Sequence, residues 1–385
     1  MKVIAMIDSF KGSATSEELN QAALKGFPDA WEKESIPIAD GGEGTMAALF
    51  ATFGGRYKEV NSVGPLGEPR TASYLLTTIQ QQSVAVIESA EIIGIQLLEP
   101  SDDTARQGSS SGLGIMIADA MKEKVTQIYV TLGGSATTDG GLGLLAALGA
   151  EIGYQPEETT GNPLLTVKNL SLTSAKAALS DIQLIALADV TNPYTGAQGF
   201  AQVFGPQKGA SPQTVQTLDL QAKKVADLVQ QTEKINLDEL AGTGAAGGIG
   251  GAIALLGGQI QPGFPTIAKL LTLENRIKDA DLLLTGEGRF DQQTASGKVP
   301  LGVAKIAQEK KIPVVALCGQ REPNLGGLSE YFAGIFSIQP GPILLAEAME
   351  KSVTLRHITE TSQAIASFYT KVLQKIELVQ KEKAE

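Results

Sequence analysis

The sequence predicts an α/β protein with mainly parallel sheets, organised as two domains. Short β-branched apolar runs end in acidic or glycine-rich loops, and most of those loops lead into helical patterns, the signature of βαβ units. Glycine supplies 43 of the 385 residues, about one in nine against a usual 7% or so, and it clusters in those loops. At about 150 residues per domain, the length implies two or three domains with a core that needs no disulfide or metal staple.

In chain order, residues 3–7 (VIAMI) read as a buried strand ended by Asp8. A helix follows from about Ser16, where Thr15 and Glu18 have capping-box spacing. Residues 35–38 (SIPI) read as a second strand, followed by the loop ADGGEGT and a helix to about Phe53. Around 61–70 (NSVGPLGEPR) the rhythm breaks into a Gly/Pro-rich connector. Further strands are expected at 84–88, 127–132, 182–188, 281–285, 312–317 and 334–338. Between 236 and 280 a glycine-rich run leads through PGFPT to a helix over 266–278. The strands before 61 and after 281 share one style, a short apolar run ending in an acidic or glycine loop. They predict a discontinuous domain of residues 1–63 plus 281–385, with residues 64–280 inserted as the second domain. The tail from Lys371 reads as an exposed helix end.

Composition excludes several function classes. Thirty-one basic against 42 acidic residues leave a net charge of −11, which repels nucleic acid and anionic membranes. The single cysteine, Cys318, rules out a disulfide framework and Cys-cluster metal sites, and it fits a reducing cytoplasm. The single histidine, His357, rules out a His-His zinc site, and its place in the amphipathic segment LRHITE reads as structural. The apolar run after Lys2 is too short for a signal peptide. The longest stretch without polar side chains, residues 244–258, is shorter than the ~20 residues of a membrane span. A cytoplasmic protein is expected, whose chemistry runs on carboxylates, lysines, arginines, hydroxyls and backbone N–H groups.

Ligands of open α/β sheets bind at the carboxyl ends of the strands, so those loops carry the candidates. DSFKGS (8–13) offers Asp8, Ser9 and the Lys11 charge before a helix N-terminus, though it also serves as a plain strand end. ADGGEG (39–44) sets two acids among three glycines, as a tight turn also would. LGGSATTDGGLG (132–143) brings paired glycines, three hydroxyls and a following helix, the parts that wrap phosphate oxygens with N–H donors. No Gly-Lys-Ser/Thr follows, so it is not a Walker A loop, and a tight βα turn is the other reading. LADVTNP (187–193) ends an apolar strand in Asp189, and FGPQKGAS (204–211) carries Lys208. LAGTGAAGGIGG (240–251) contains GxGxxG, but no convincing strand precedes it and no acid follows about twenty residues on. Close packing or substrate contact by bare backbone fits it better than a dinucleotide. LLLTGEGRFDQQTASGK (282–298) is the densest, with Glu287, Arg289, Asp291 and Lys298 after a buried strand. Carboxylates can hold Mg²⁺ and take a hydroxyl proton, while lysines and amides neutralise phosphate; the set points to a phosphoryl transferase for a small acidic or hydroxylated substrate.

These runs also resemble those of the bacterial type 1 glycerate kinases. DSFKGS (8–13), PIADGGEGT (37–45), GPLGEP (64–69), GGSATTDGG (133–141) and ADVTNP (188–193) occur in the family's order. So do VFGPQKGA (203–210), GTGAAGGIGG (242–251), TGEGRFD (285–291), GKVPLGVA (297–304) and FSIQPGP (336–342), to about residue 370. The resemblance implies a Rossmann-like domain from both chain ends, an inserted flavodoxin-like domain, and an active site in the cleft between them. It implies phosphorylation of D-glycerate to 2-phosphoglycerate with ATP and Mg²⁺. Carried onto this chain, Lys11 and Lys298 neutralise carboxylate or phosphoryl charge, and Asp8, Ser9 and Arg289 join them on the substrate side. Asp189 is the general base or a metal ligand, Glu287 and Asp291 hold Mg²⁺ or the glycerate hydroxyls, and Gly133, Gly134, Ser135 and Thr137 cradle nucleotide phosphates. The chain departs from the family pattern at Met6, Ile7 and Thr138 and in segments 88–94 and 105–112, which bear on the exact substrate. A kinase for another hydroxy or sugar acid is one rival reading. A non-catalytic glycerate sensor is the other, although it would not need the set Lys11, Asp189, Glu287, Asp291 and Lys298. The expected partners are small molecules, not nucleic acid or membrane, with self-association left open.

Overall fold

Apolar runs from the two ends of the chain pair with each other in the computed structural model, which describes residues 1–154, 161–291, 294 and 298–382. The strands are β1 (Lys2–Ile7), β2 (Glu32–Ser35), β3 (Arg56–Val63), β4 (Pro69–Ile79), β5 (Gln82–Glu88), β6 (Gln127–Thr131) and β7 (Glu151–Tyr154). They continue with β8 (Val167–Ser171), β9 (Gln183–Leu187), β10 (Gln259–Gln261), β11 (Leu282–Phe290), β12 (Val314–Arg321) and β13 (Gly334–Ser337). The chain divides into two units, one of Met1–Asp40, Ala47–Thr52 and Ile267–Glu385, the other of Gly41–Met46 and Phe53–Thr266.

The first unit holds a wholly parallel sheet in the order β13-β12-β11-β1-β2. Val3, Ala5 and Ile7 join Leu282, Leu284, Val315 and Leu317 in one core, together with Leu19 and Ala23 of helix Ser16–Lys25 and Ile358 of helix Lys351–Glu382. Ile4 and Met6, which alternate with them, are buried as well. Burial on both faces explains why these strands are continuous apolar runs. Losing one such side chain, as in Leu284→Ala, costs about 2–5 kcal/mol. The capping box forms as expected, with the Thr15 hydroxyl accepting from the Glu18 N–H and the Glu18 carboxylate accepting from the Thr15 N–H.

Two elements of this unit differ from the sequence reading. β2 lies at 32–35 and shares only Ser35 with SIPI, and the Ile38 N–H donates to the Ser16 hydroxyl instead of to a strand. β11 runs to Phe290, past its expected end at 285, because β12 also extends and pairs Arg321 with Phe290. Glu287 and Arg289 therefore stand on a strand and not in a loop.

The second unit holds a sheet in the order β10-β9-β6-β5-β4-β3, with β7 and β8 as a separate antiparallel ribbon. β5, β6, β9 and β10 are parallel, whereas β3 and β4 are antiparallel. Residues 61–70 thus form a hairpin, closed by the Gly64 N–H on the Glu68 carbonyl at 2.8 Å, and β3 pairs into this sheet although residues 56–63 had been read with the chain's start. The expected helix over 266–278 is two, Gly263–Leu270 and Leu273–Arg276, broken where Thr272 takes a left-handed φ of 51°. Among the described residues no helix is long and apolar enough to cross a membrane.

Candidate active site

β1 and β11 are neighbours in register, Ile7 against Gly286, so their carboxyl ends emerge side by side. The Asp8 N–H donates to the Gly286 carbonyl at 2.9 Å and fixes the exit of β1. A cavity of about 860 Å³ opens there, lined by Asp8, Ser9 and Lys11 from the loop after β1, Glu287 and Arg289 from β11, Asp291 just past its end, and Lys298. Among the described residues its lining comes from the first unit. Asp40 and Glu322 complete a set of five carboxylates against three cations, and Phe10, Ile338, Leu345 and Met349 add apolar wall.

Burial, and after it the excess of acid, shows in the proton affinities. Burial, and then the charge of Asp40, hold the Asp8 carboxyl well above the usual range, although the Ser9 N–H at 2.8 Å and Lys11 pull it down. Burial also raises Glu287, against the Thr294 hydroxyl that donates to its Oε1 at 2.5 Å and against Lys298, whose Nζ lies 3.7 Å from Oε2. Thr294 accepts the Asp291 N–H on the same hydroxyl at 3.2 Å and so joins the two acids; the sequence reading passed over it. Arg289 is exposed and paired with Glu322 at 2.7 Å and Asp291 at 3.3 Å, which commits its charge to the rim.

Lys298 occupies the N-cap of helix Val299–Glu309 and makes no side-chain cap. A cation at the positive end of a helix dipole is unfavourable alone and favourable when an anion sits between them. Among the described residues no three His, Cys, Asp or Glu side chains gather into a chelating cluster. The acid-rich lining instead fits a hard cation that takes one or two carboxylates and keeps water and phosphate for its other positions.

The remaining predicted residues belong to the second unit and do not line this cavity. Asp189 follows β9, is exposed, and accepts the Gly263 N–H at 2.8 Å. The glycine loop follows β6, with Gly133 and Gly134 exposed and Ser135 and Thr137 buried. Gly134 adopts φ +72°, a region that costs other residues about 1–2 kcal/mol. The loop is sewn to residues 93–95 by the Ile95 N–H on the Gly134 carbonyl and the Ala136 N–H on the Ile93 carbonyl, both at 2.8 Å.

Asp139 and Glu88, buried charges of this unit, went unassigned in the sequence reading, and Lys208 was named only as the charge of its loop. Asp139 accepts from the Ser110 N–H and hydroxyl at 2.7 and 2.8 Å and from the N–H groups of Gly141 and Gly143 at 3.0 and 3.1 Å. Burial nevertheless pushes its carboxyl up. Glu88 accepts the Gly44 and Met46 N–H groups and is pushed up to about 7, mainly by burial. Lys208 donates to the Thr137 carbonyl and the Ser135 hydroxyl. Asp139 is a lone charge beside glycines and Glu88 stands at a strand end, which is the signal that could have found them. The glycine motif at 242–251 packs closely, with Gly244 against the Pro193 carbonyl and Gly250 against that of Gly242. His357 is buried beside Gln339, its Nδ1 3.2 Å from Oε1, as a structural residue.

A sequence profile described as the glycerate kinase family matches residues 3–370. The chain is 35% identical to a glycerate kinase of Halalkalibacterium halodurans, over 96% of this chain and 99% of that one. It is 36% identical to a glycerate 2-kinase of Escherichia coli K12, over 88% of this chain and 90% of that one. A crystal structure from Salmonella typhimurium LT2, of a protein assigned as a glycerate kinase 2, matches with a TM-score of 0.85 at 34% identity and covers 97% of this chain and 99% of that one.

Proposed function

The chain belongs to the glycerate kinase family and is a phosphotransferase, and on that premise we propose that it transfers the γ-phosphoryl group of ATP to the 2-hydroxyl of D-glycerate. The observation that carries the proposal is Lys298 at a helix N-terminus beside the first-unit carboxylates. A hydroxy acid is the small molecule that presents both an anion for Lys298 and the helix N–H groups, and hydroxyl hydrogens for carboxylates to accept. Asp8, Ser9 and Asp291 then orient the hydroxyls, and Lys11 faces the transferring phosphoryl group. Arg289 holds the rim through Glu322. Glu287 is the proposed Mg²⁺ ligand, with Asp189 as a second in the alternative to its role as base; the ion, when bound, would draw off phosphate charge and align the triphosphate. Gly133, Gly134, Ser135 and Thr137 receive the nucleotide phosphates.

Asp189 remains the first assignment for the base that takes the hydroxyl proton. A second assignment rests on one observation: burial and Asp40 raise the Asp8 carboxyl, which moves it toward the range where a general base works best near neutral pH. The test of function is a coupled assay with ATP, Mg²⁺ and a panel of hydroxy and sugar acids, with phosphorus NMR of the product. Mainly 2-phosphoglycerate, consumed by enolase without a mutase, is expected. A mainly 3-phosphate product contradicts the regiochemistry. Turnover of another acid in place of glycerate contradicts the substrate, and glycerate binding without turnover returns the sensor reading.

A further inference from the structure

Three stretches far apart in sequence enclose one side chain in the second unit. Lys208 ends the short turn Pro206–Lys208 and is 3% exposed. Its Nζ donates to the Thr137 carbonyl at 2.6 Å and to the Ser135 hydroxyl at 3.1 Å. The chain crosses above at Gly247, whose φ of +70° and missing Cβ leave room for the Thr137 carbonyl and for Nζ. The Gly140 N–H closes the layer on the Gly247 carbonyl at 2.9 Å.

The amine is costly where it stands. Burial pushes it down to about 7 against the pull of Asp139, while a methionine of similar length would fill the space without desolvating a charge. What only a long donor supplies there is orientation. The peptides are trans, so a carbonyl and the next N–H point in opposite directions. Drawing the Thr137 carbonyl inward turns the Thr138 N–H away from Lys208, and the Ile95 contact likewise turns the Ser135 N–H away from residues 93–95.

We propose that Lys208 is a positioning residue for the glycine loop 133–137, holding from within the protein the loop shape that receives nucleotide phosphates. This rests on the phosphate reading of that loop given above. The experiment compares Lys208→Met, Lys208→Gln and Gly134→Val for the KM of ATP, the KM of glycerate, kcat and the thermal midpoint. Lys208→Met is expected to lower kcat/KM for ATP tenfold or more, with the KM for glycerate within twofold and the midpoint unchanged or raised. Lys208→Gln, which keeps a donor, is expected to recover part of that loss, a rescue that a purely packing role does not produce. Folded Lys208→Met with ATP kinetics within twofold of wild type overturns the proposal. If Lys208→Met does not fold, losses in Lys208→Gln that fall as heavily on glycerate as on ATP overturn it equally. A loss confined to glycerate in both Lys208→Met and Gly134→Val overturns the phosphate reading and leaves Lys208 as the residue that shapes the loop.

Discussion

The cavity of the first unit and the glycine loop of the second are built at the same kind of place, the carboxyl end of a parallel strand, from opposite materials. The cavity is made of side-chain charge, five carboxylates against three cations among the described residues, and burial first, with neighbouring carboxylates after it, raises Asp8 and Glu287. The tip of the loop is made of backbone, with exposed glycines above and a buried lysine below. A site built from side chains should tolerate changes of shape better than changes of charge. A site built from backbone should respond the other way, because an added Cβ alters where its N–H groups can point. The difference also fixes what each can receive: the cavity needs a cation or hydroxyl donors to relieve its acids, and the loop offers donors to an anion.

Asp189 is the sharpest way to break that division, since it is a carboxylate of the second unit. A positioned general base contributes about a hundred- to ten-thousand-fold. Asp189→Asn keeps an acceptor for the Gly263 N–H, so kcat is expected to fall about a hundredfold or more with the thermal midpoint little changed. If high Mg²⁺ restores much of the rate, its role is that of a metal ligand. Near-wild-type kcat at ordinary Mg²⁺ removes both roles and moves the base into the cavity, to Asp8 or Asp291.

The acid cavity makes a pH prediction of smaller size. A carboxyl whose folded value lies above its unfolded one makes the folded state bind more protons, so stability is greatest below the unfolded value and is lost as pH rises through the raised one. Asp8 and Glu287 are both of this kind. Mg²⁺ binds the ionised form, so the stabilisation it gives grows across the same window. Thermal unfolding at about pH 5 and about pH 8, with and without Mg²⁺, is expected to show a larger Mg²⁺ gain at the higher pH. Equal gains at both would take Glu287 out of metal binding. The smallest effect is a control outside both regions: Thr15→Ala removes the cap of helix Ser16–Lys25, costs about 1 kcal/mol, and leaves kinetics unchanged if the cavity depends on charge alone.

How far the sequence could be read follows the same physics. β1, β9 and β12 were legible because strands buried on both faces are apolar runs. β3 was not, because most of RYKEVNSV is exposed or only partly buried and Val60 is its one well-buried apolar residue. The far end of β11 was not, because GEGRF is loop-like locally and becomes strand only through its partner at 318–321. Asp8, Glu287, Asp291 and Lys298 stood out as charges following apolar strands, which have few structural uses there. Their convergence with Asp40 and Glu322 depends on segments distant in sequence, as does the enclosure of Lys208 by Thr137 and Gly247, whereas Thr294 stood within the quoted loop as one hydroxyl among several polar residues.

The central claim is that the acid-lined cavity takes the hydroxy acid at Lys298 while the glycine loop takes the nucleotide. The most direct measurement is the pair of KM values, for glycerate and for ATP, in Lys298→Met and Gly134→Val. Removing the Lys298 charge is expected to raise the KM for glycerate about tenfold or more, with that for ATP within about twofold. A Cβ and branch at Gly134 are expected to raise the KM for ATP by a similar factor and leave that for glycerate nearly unchanged. Effects that fall on the opposite substrates, or equally on both in each variant, would contradict the claim.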